Sequence, residues 1–168
     1  LCPSYWGGGT WLADGRIIIT ESYLSGLLTV PAGGGAKETL TEPDRDQGEL
    51  GHWWPQVLPG DEWLIYTSFS SPIENARIMA LSLVDGTRKV LVQGGVFGRY
   101  SPSGHLMFTT GGQWFAASFD LDGMEVLGVP ESVLDDVYLN PYDGYTNLTF
   151  GSNGTLAYVE ASVMEPAR

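Results

Sequence analysis

Four hairpin-like segments recur along the chain, and no other feature constrains the fold so strongly. Superposed on their turns, they bring Trp11, Val57, Tyr100 and Phe150 into register just before each turn, at intervals of roughly 40–50 residues. The most complete copy runs from Gly51 to Val92: GHWWPQV, a turn at LPGD, EWLIYT, a loop, ARIMALSLV, a turn at Asp85-Gly86, and TRKVLVQ. Such a period with four strands per copy is the sequence sign of propeller blades. The apolar runs are filled by β-branched and aromatic residues and keep no 3.6-residue spacing, which excludes a helical protein. A β-sandwich also recurs in short strands, but it does not predict this regular first hairpin. The expected fold is therefore all-β: a partial β-propeller of about three and a half four-stranded antiparallel blades, at about residues 7–41, 51–93 and 97–135, with a partial blade at 146–160.

Local signals support this division. Arg16 to Thr20 carries Ile17, Ile18 and Ile19 in a row, which suits a strand buried on both faces. Ala13-Asp14-Gly15, Pro102-Ser103-Gly104 and Ser152-Asn153-Gly154 read as turns, because Gly, Asn and Asp tolerate the positive φ of tight hairpins. Glu42 to Leu50 reads as a polar loop, and its carboxylates Glu42, Asp44, Asp46 and Glu49 as solvated; they lack the full frame of a calcium loop. The 23 glycines and 10 prolines fit a chain with many turns.

Charge and composition exclude several classes of function. A net charge of −12 repels phosphate backbones, so no nucleic-acid partner is expected. No apolar run reaches the ~18 residues of a membrane span, so this segment is not expected to insert in a membrane. Cys2 is the single cysteine, which rules out an internal disulfide, and one cysteine with two distant histidines makes no zinc site. The chain opens on Leu1 rather than Met, which reads as a processed protein or an excised fragment.

The pieces GGTWLADGRIII, VPAGGGAKETLTEP, HWWPQVLPGDEWLIYT, ARIMALSLVDGTRKVL and RYSPSGHLMF resemble the WD-like, TolB-type propeller repeats of bacteria. They are most similar to the repeats that follow the kinase domain of some bacterial serine/threonine protein kinases. They span most of Gly8 to Leu134, and the similarity fades beyond Asp135. One departure is Pro59-Gly60-Asp61, where such repeats usually have Pro-Asp-Gly; it implies a shifted turn geometry without loss of a strand. A second is the number of blades, since such propellers close with six or more. A bare blade face of about 300 Å² would forgo about 7 kcal/mol of burial. The end blades are therefore expected to meet further blades of a longer protein, or other copies of the chain as a homo-oligomer.

No catalytic motif appears. Gly151-Ser152-Asn153-Gly154 only superficially resembles a nucleophile elbow, and no carboxylate pair stands out. No cofactor is expected, nor any metal site. The resemblance implies a non-enzymatic segment for protein or small-ligand recognition, sensor- or scaffold-like, in an extracytoplasmic part of a larger bacterial protein. A propeller hydrolase or glycosidase and a purely structural oligomerisation module are the alternatives. The candidate ligand contacts are His52, Trp53, Arg99 and Tyr100, placed by the repeat on inner strands. For His52 the competing reading is a hydrogen-bonded, partly buried strand residue; for His105, after a turn, it is plain surface. Trp6, Trp53, Trp54, Tyr100, Tyr142 and Tyr145 sit at strand starts or in loops, where aromatic rings serve either recognition or packing between blades.

Overall fold

The computed structural model describes residues 7–161 except 136, 141 and 152. Trp6 and Cys2, and the serine of the Ser152-Asn153-Gly154 turn, lie outside the described residues.

Among the described residues, three four-stranded sheets and one two-stranded hairpin make up the fold. The first sheet holds β1 (Gly9–Trp11), β2 (Arg16–Thr20), β3 (Leu27–Pro31) and β4 (Glu38–Thr39). The second holds β5 (Glu49–Val57), β6 (Trp63–Ser70), β7 (Arg77–Ser82) and β8 (Arg88–Gln93). The third holds β9 (Val96–Ser101), β10 (His105–Thr110), β11 (Gln113–Asp120) and β12 (Glu125–Leu134). The hairpin pairs β13 (Leu148–Phe150) with β14 (Leu156–Tyr158). Each sheet is an antiparallel meander in which sequence neighbours are also spatial neighbours. The architecture is a partial propeller, as the repeat implies.

The sheets stack face against face and share two apolar layers. Leu12, Ile18 and Leu27 of the first sheet meet Leu64, Tyr66, Met79 and Leu81 of the second. On its other side the second sheet presents Ile65, Ile78 and Ala80 to Leu106, Phe108 and Phe119 of the third. Adjacent strand positions point to opposite faces, so Leu64 and Ile65 feed different layers. That is why the middle sheet reads as unbroken apolar runs rather than an alternation. A third cluster, with Trp53, Trp54, Phe97 and Trp114 among its members, continues to Val137 and Leu148 of the terminal hairpin region.

The first strands of the sheets lie innermost and hold one another. β5 lies beside both β1 and β9. The Trp54 N–H donates to the Gly7 carbonyl at 2.5 Å, and the Val57 N–H to the Thr10 hydroxyl at 3.3 Å. On the other side the Gln56 amide acts as a surrogate peptide for Tyr100: Nε2 donates to its carbonyl at 3.1 Å and Oε1 accepts its N–H at 2.8 Å.

The polar loop before β5 departs from expectation. Asp44 caps a short 3-10 turn, Arg45–Gln47, accepting from the N–H groups of Asp46 and Gln47. β5 begins at Glu49, two residues earlier than Gly51, and Glu49 is buried rather than solvated. The turn at Pro59-Gly60-Asp61 keeps both its strands. Here the left-handed position held by Gly15 (φ 86), Gly104 (φ 80) and Gly154 (φ 82) in the other units falls to Asp61 (φ 57). Its carboxylate then accepts the Ala13 N–H of the neighbouring sheet at 2.5 Å. Asp is one of the few non-glycine residues that tolerate this backbone region.

Candidate functional site

Three of the units have a residue with left-handed backbone at the same place in the repeat, on or just before the innermost strand. These are Gly8 (φ 78), Trp54 (φ 55) and Phe97 (φ 54). Around two of them the ladder slips: the β5–β6 register shifts between Trp53 and Gln56, and the β10–β9 register between Met107 and Thr109. A bulge re-aims the side chain it carries. A bulky residue at positive φ costs about 1–3 kcal/mol and persists only where its surroundings enforce it. The enforcing contacts are visible: the Trp54 N–H bond to Gly7, and a 3.1 Å bond from the Phe97 N–H to the Thr67 hydroxyl.

Gly8, Trp54 and Phe97 converge on one open concavity of about 550 Å³, and Asn147, at the corresponding place in the fourth unit, lines it too. Arg99, Tyr145, Thr146 and the hairpin residues Thr149 and Tyr158 complete most of the wall. The Trp54 and Phe97 rings meet edge-on at 5.1 Å, and Tyr145 meets Phe97 edge-on at 6.1 Å. The guanidinium of Arg99, a residue half-buried as a whole, stands over the Phe97 ring, 4.4 Å from its centroid. Its Nη1 donates to the carbonyls of Trp54 at 2.7 Å and Gly98 at 3.2 Å. Burial pushes its pKa down to about 10, which leaves it charged at neutral pH. Among the described residues the lining includes no Asp or Glu, in a protein of net charge −12.

The other sequence candidates lie elsewhere. His52 is fully buried and does not line this concavity. Its Nε2 lies 3.1 Å from Oε2 of Glu49 and its Nδ1 2.7 Å from the Thr41 hydroxyl, so both ring nitrogens serve the joint between the first and second sheets. Burial lowers its pKa and outweighs the pull of Glu49, so the ring is neutral. Nε2 then donates to the carboxylate, and Nδ1 accepts from Thr41. Glu49 also accepts from Ser68 at 2.8 Å and Arg77 Nη2 at 2.7 Å. Burial alone would raise its pKa, but the bonds from His52, the Asp44 N–H and Ser68 outweigh it and hold it at about 2. In this structure His52 is thus a buried, hydrogen-bonded strand residue at the joint between two sheets.

Trp53 is buried as well, stacked on Phe69 at 4.1 Å with Nε1 donating to the Tyr23 carbonyl. Tyr100 is half-buried and lines a separate concavity of about 570 Å³ beside Gln56, Pro59 and Asp61. Of the four candidates, only Arg99 reaches the axial concavity. Among the aromatics singled out in the sequence, Trp54 and Tyr145 line it, while Tyr142 is 85% exposed away from it. His105 is half-buried and bonds its neighbour Ser103. Sequence reading missed Phe97, Thr146 and Asn147. Carrying the repeat three positions back from Trp11, Val57, Tyr100 and Phe150 would have found Gly8, Trp54, Phe97 and Asn147 together.

No protein family matches the sequence, and no curated protein does. Solved structures do match in fold. A protein assigned as TolB from Agrobacterium tumefaciens superposes with a TM-score of 0.67 at 15% identity, covering 98% of this chain and 60% of its own. A calcium-binding protein, regucalcin, from the same organism superposes with a TM-score of 0.64 at 14% identity, covering 90% of this chain and 52% of its own. The chain thus resembles a little over half of each of these longer propellers.

Proposed function

We propose that this chain is a non-enzymatic propeller segment that recognises a protein or small ligand at its axial concavity. One observation carries the reading: all four units contribute the same repeat position, on or just before the inner strand, to a single cavity, and in two of them a large aromatic is held there in strained backbone. Strain of this kind gathers at ligand-binding sites. A volume of about 550 Å³ lies within the ordinary range of ligand pockets, roughly 300–1,000 Å³. The likeness to the TolB-assigned structure supports the propeller fold alone, and the kinase-associated repeats named above supply a context: a sensor or scaffold part of a larger bacterial protein.

The reading includes completion of the ring by further blades, from the same protein or from a second copy. Trp11, Ile17, Ile19, Leu28 and Val30 share the outer face of the first sheet, away from the layer that Ile18 and Leu27 build with the second. Ile19 and Val30 on that face are already buried, while Trp11 at its edge is 62% exposed.

Panels of ester, peptide and glycoside substrates test the reading. It expects no turnover. Turnover abolished by a single inner-strand substitution such as Arg99→Ala would replace it with a propeller hydrolase or glycosidase.

A further inference from the structure

We infer that the axial concavity binds a carboxylate carried on an apolar or aromatic body, with the free edge of Arg99 as its receptor. The inference rests on the recognition reading and gives it a ligand class. Arg99 has no carboxylate partner among the described residues, although the protein is strongly acidic. Its Nη1 is committed to the Trp54 and Gly98 carbonyls, while Nε and Nη2 make no hydrogen bond there. Those two N–H groups form one edge of the planar guanidinium, the fork that pairs side-on with both oxygens of a carboxylate. The two Nη1 bonds and the Phe97 ring fix the plane of the fork, so little rotamer freedom remains to be lost on binding.

A second polar atom without a partner lies in the same wall. Thr146 is 1% exposed, and its hydroxyl has no hydrogen bond among the described residues. A buried hydroxyl without a partner is costly; this one is shut off from solvent, and a turn of its side chain toward the concavity would bring it to a ligand oxygen. The remaining wall is largely apolar, with the Trp54, Phe97 and Tyr145 rings and Leu148. That surface suits an aryl or aliphatic body and gives a bare, fully hydrated anion little in return. An aromatic carboxylic acid and the free C-terminus of a peptide share this chemistry.

Titration calorimetry on the 168-residue chain tests the inference with phenylacetate, phenylacetamide, inorganic phosphate, and N-acetyl-Gly-Phe as the acid and as the amide. The expected result is binding of at least one of the two acids, about ten-fold or more tighter than its amide and tighter than phosphate. Arg99→Gln should abolish this preference. Arg99→Lys, which keeps the charge but not the fork, should lose most of it, and Thr146→Val should weaken the acid more than the amide. Thermal unfolding of each variant shows whether the fold is intact, and Thr146→Val leaves the Arg99 bonds untouched if the arginine variants unfold. Which acid binds separates the small-molecule source from the peptide source. Equal affinity for acid and amide, unchanged acid binding in folded Arg99→Gln, or no binding by any probe would overturn the inference. The recognition reading would survive each of these outcomes if a partner bound elsewhere on the concavity, and it would fall separately if substrate turnover were found.

Discussion

Nε2 of His52 lies 3.1 Å from the carboxylate of Glu49, three residues earlier on the same strand, and both side chains are buried. Residues three apart on a regular strand point to opposite faces. Here the ladder slips between Glu49 and Gly51, and the slip turns the two side chains toward each other. The pair then reaches outward to Thr41 of the first sheet and Arg77 of the second, so a polar joint sits beside the apolar layers.

This joint makes stability depend on acid. Glu49 has a folded pKa of about 2 against an ordinary 4.5, so its contribution is fully present above about 4.5 and is lost as pH falls toward 2. The linkage is worth at most about 3 kcal/mol, less where solvent screens the carboxylate. His52 is lowered from 6.5, so it too favours the fold while neutral and loses that contribution as pH drops below 6.5. Both signs agree. Urea midpoints measured from pH 7 down to pH 3 should fall in two stages, the first below 6.5 and absent in His52→Gln.

Removing Glu49 should cost far more than removing a surface ion pair. Glu49→Ala leaves His52, Ser68 and Arg77 without their acceptor in a buried site, a loss of about 3–5 kcal/mol. Arg16→Ala breaks the Arg16–Asp14 pair, whose side chains are 49% and 50% exposed, and should not shift the urea midpoint measurably.

Asp61 combines a backbone requirement with a bond between sheets. Asp61→Ala should destabilise by about 1 kcal/mol or more, because alanine resists positive φ and cannot accept the Ala13 N–H. Asp61→Asn keeps both properties and should stay near the parent protein. Thermal melts of the two variants check this.

The Gly26 backbone passes the Thr41 carbonyl so closely that a Cβ would lie 1.7 Å from its oxygen. Gly26→Ala should cost at least about 3 kcal/mol and disturb the His52 joint through Thr41. Gly33 faces open space, and its alanine variant should be neutral or slightly more stable. Urea unfolding of the pair of variants decides the point.

The repeat made the propeller legible because its turns and apolar runs are local signals. Gly15 and Gly104 announce their turns, and Ile17 to Ile19 announce a strand packed on both sides. The site was less legible. His52 and Arg99 both stand on inner strands, and nothing in their immediate neighbours shows that one is consumed between sheets while the other is left with free donors among the described residues. That outcome depends on the slip that turns the Glu49 carboxylate toward His52, and on the Thr41 hydroxyl and the Trp54 carbonyl brought close by stacking. The left-handed backbone at Trp54 and Phe97 was hidden for a related reason: neither residue favours it, so tertiary packing has to impose it. Asp61 shows the converse, an unusual turn order whose geometric cost is small because aspartate accepts positive φ.

The account depends most on sheets that pass their apolar faces from one neighbour to the next around an axis, leaving the outer face of the first sheet to be covered by a further blade. Light scattering on the 168-residue chain across a range of concentrations tests this most directly, with Trp11→Glu beside it. A mass that rises above the monomer with concentration, and returns toward the monomer in the variant, is the predicted result. A single monomeric mass at every concentration, unchanged by a charge at Trp11, would contradict it.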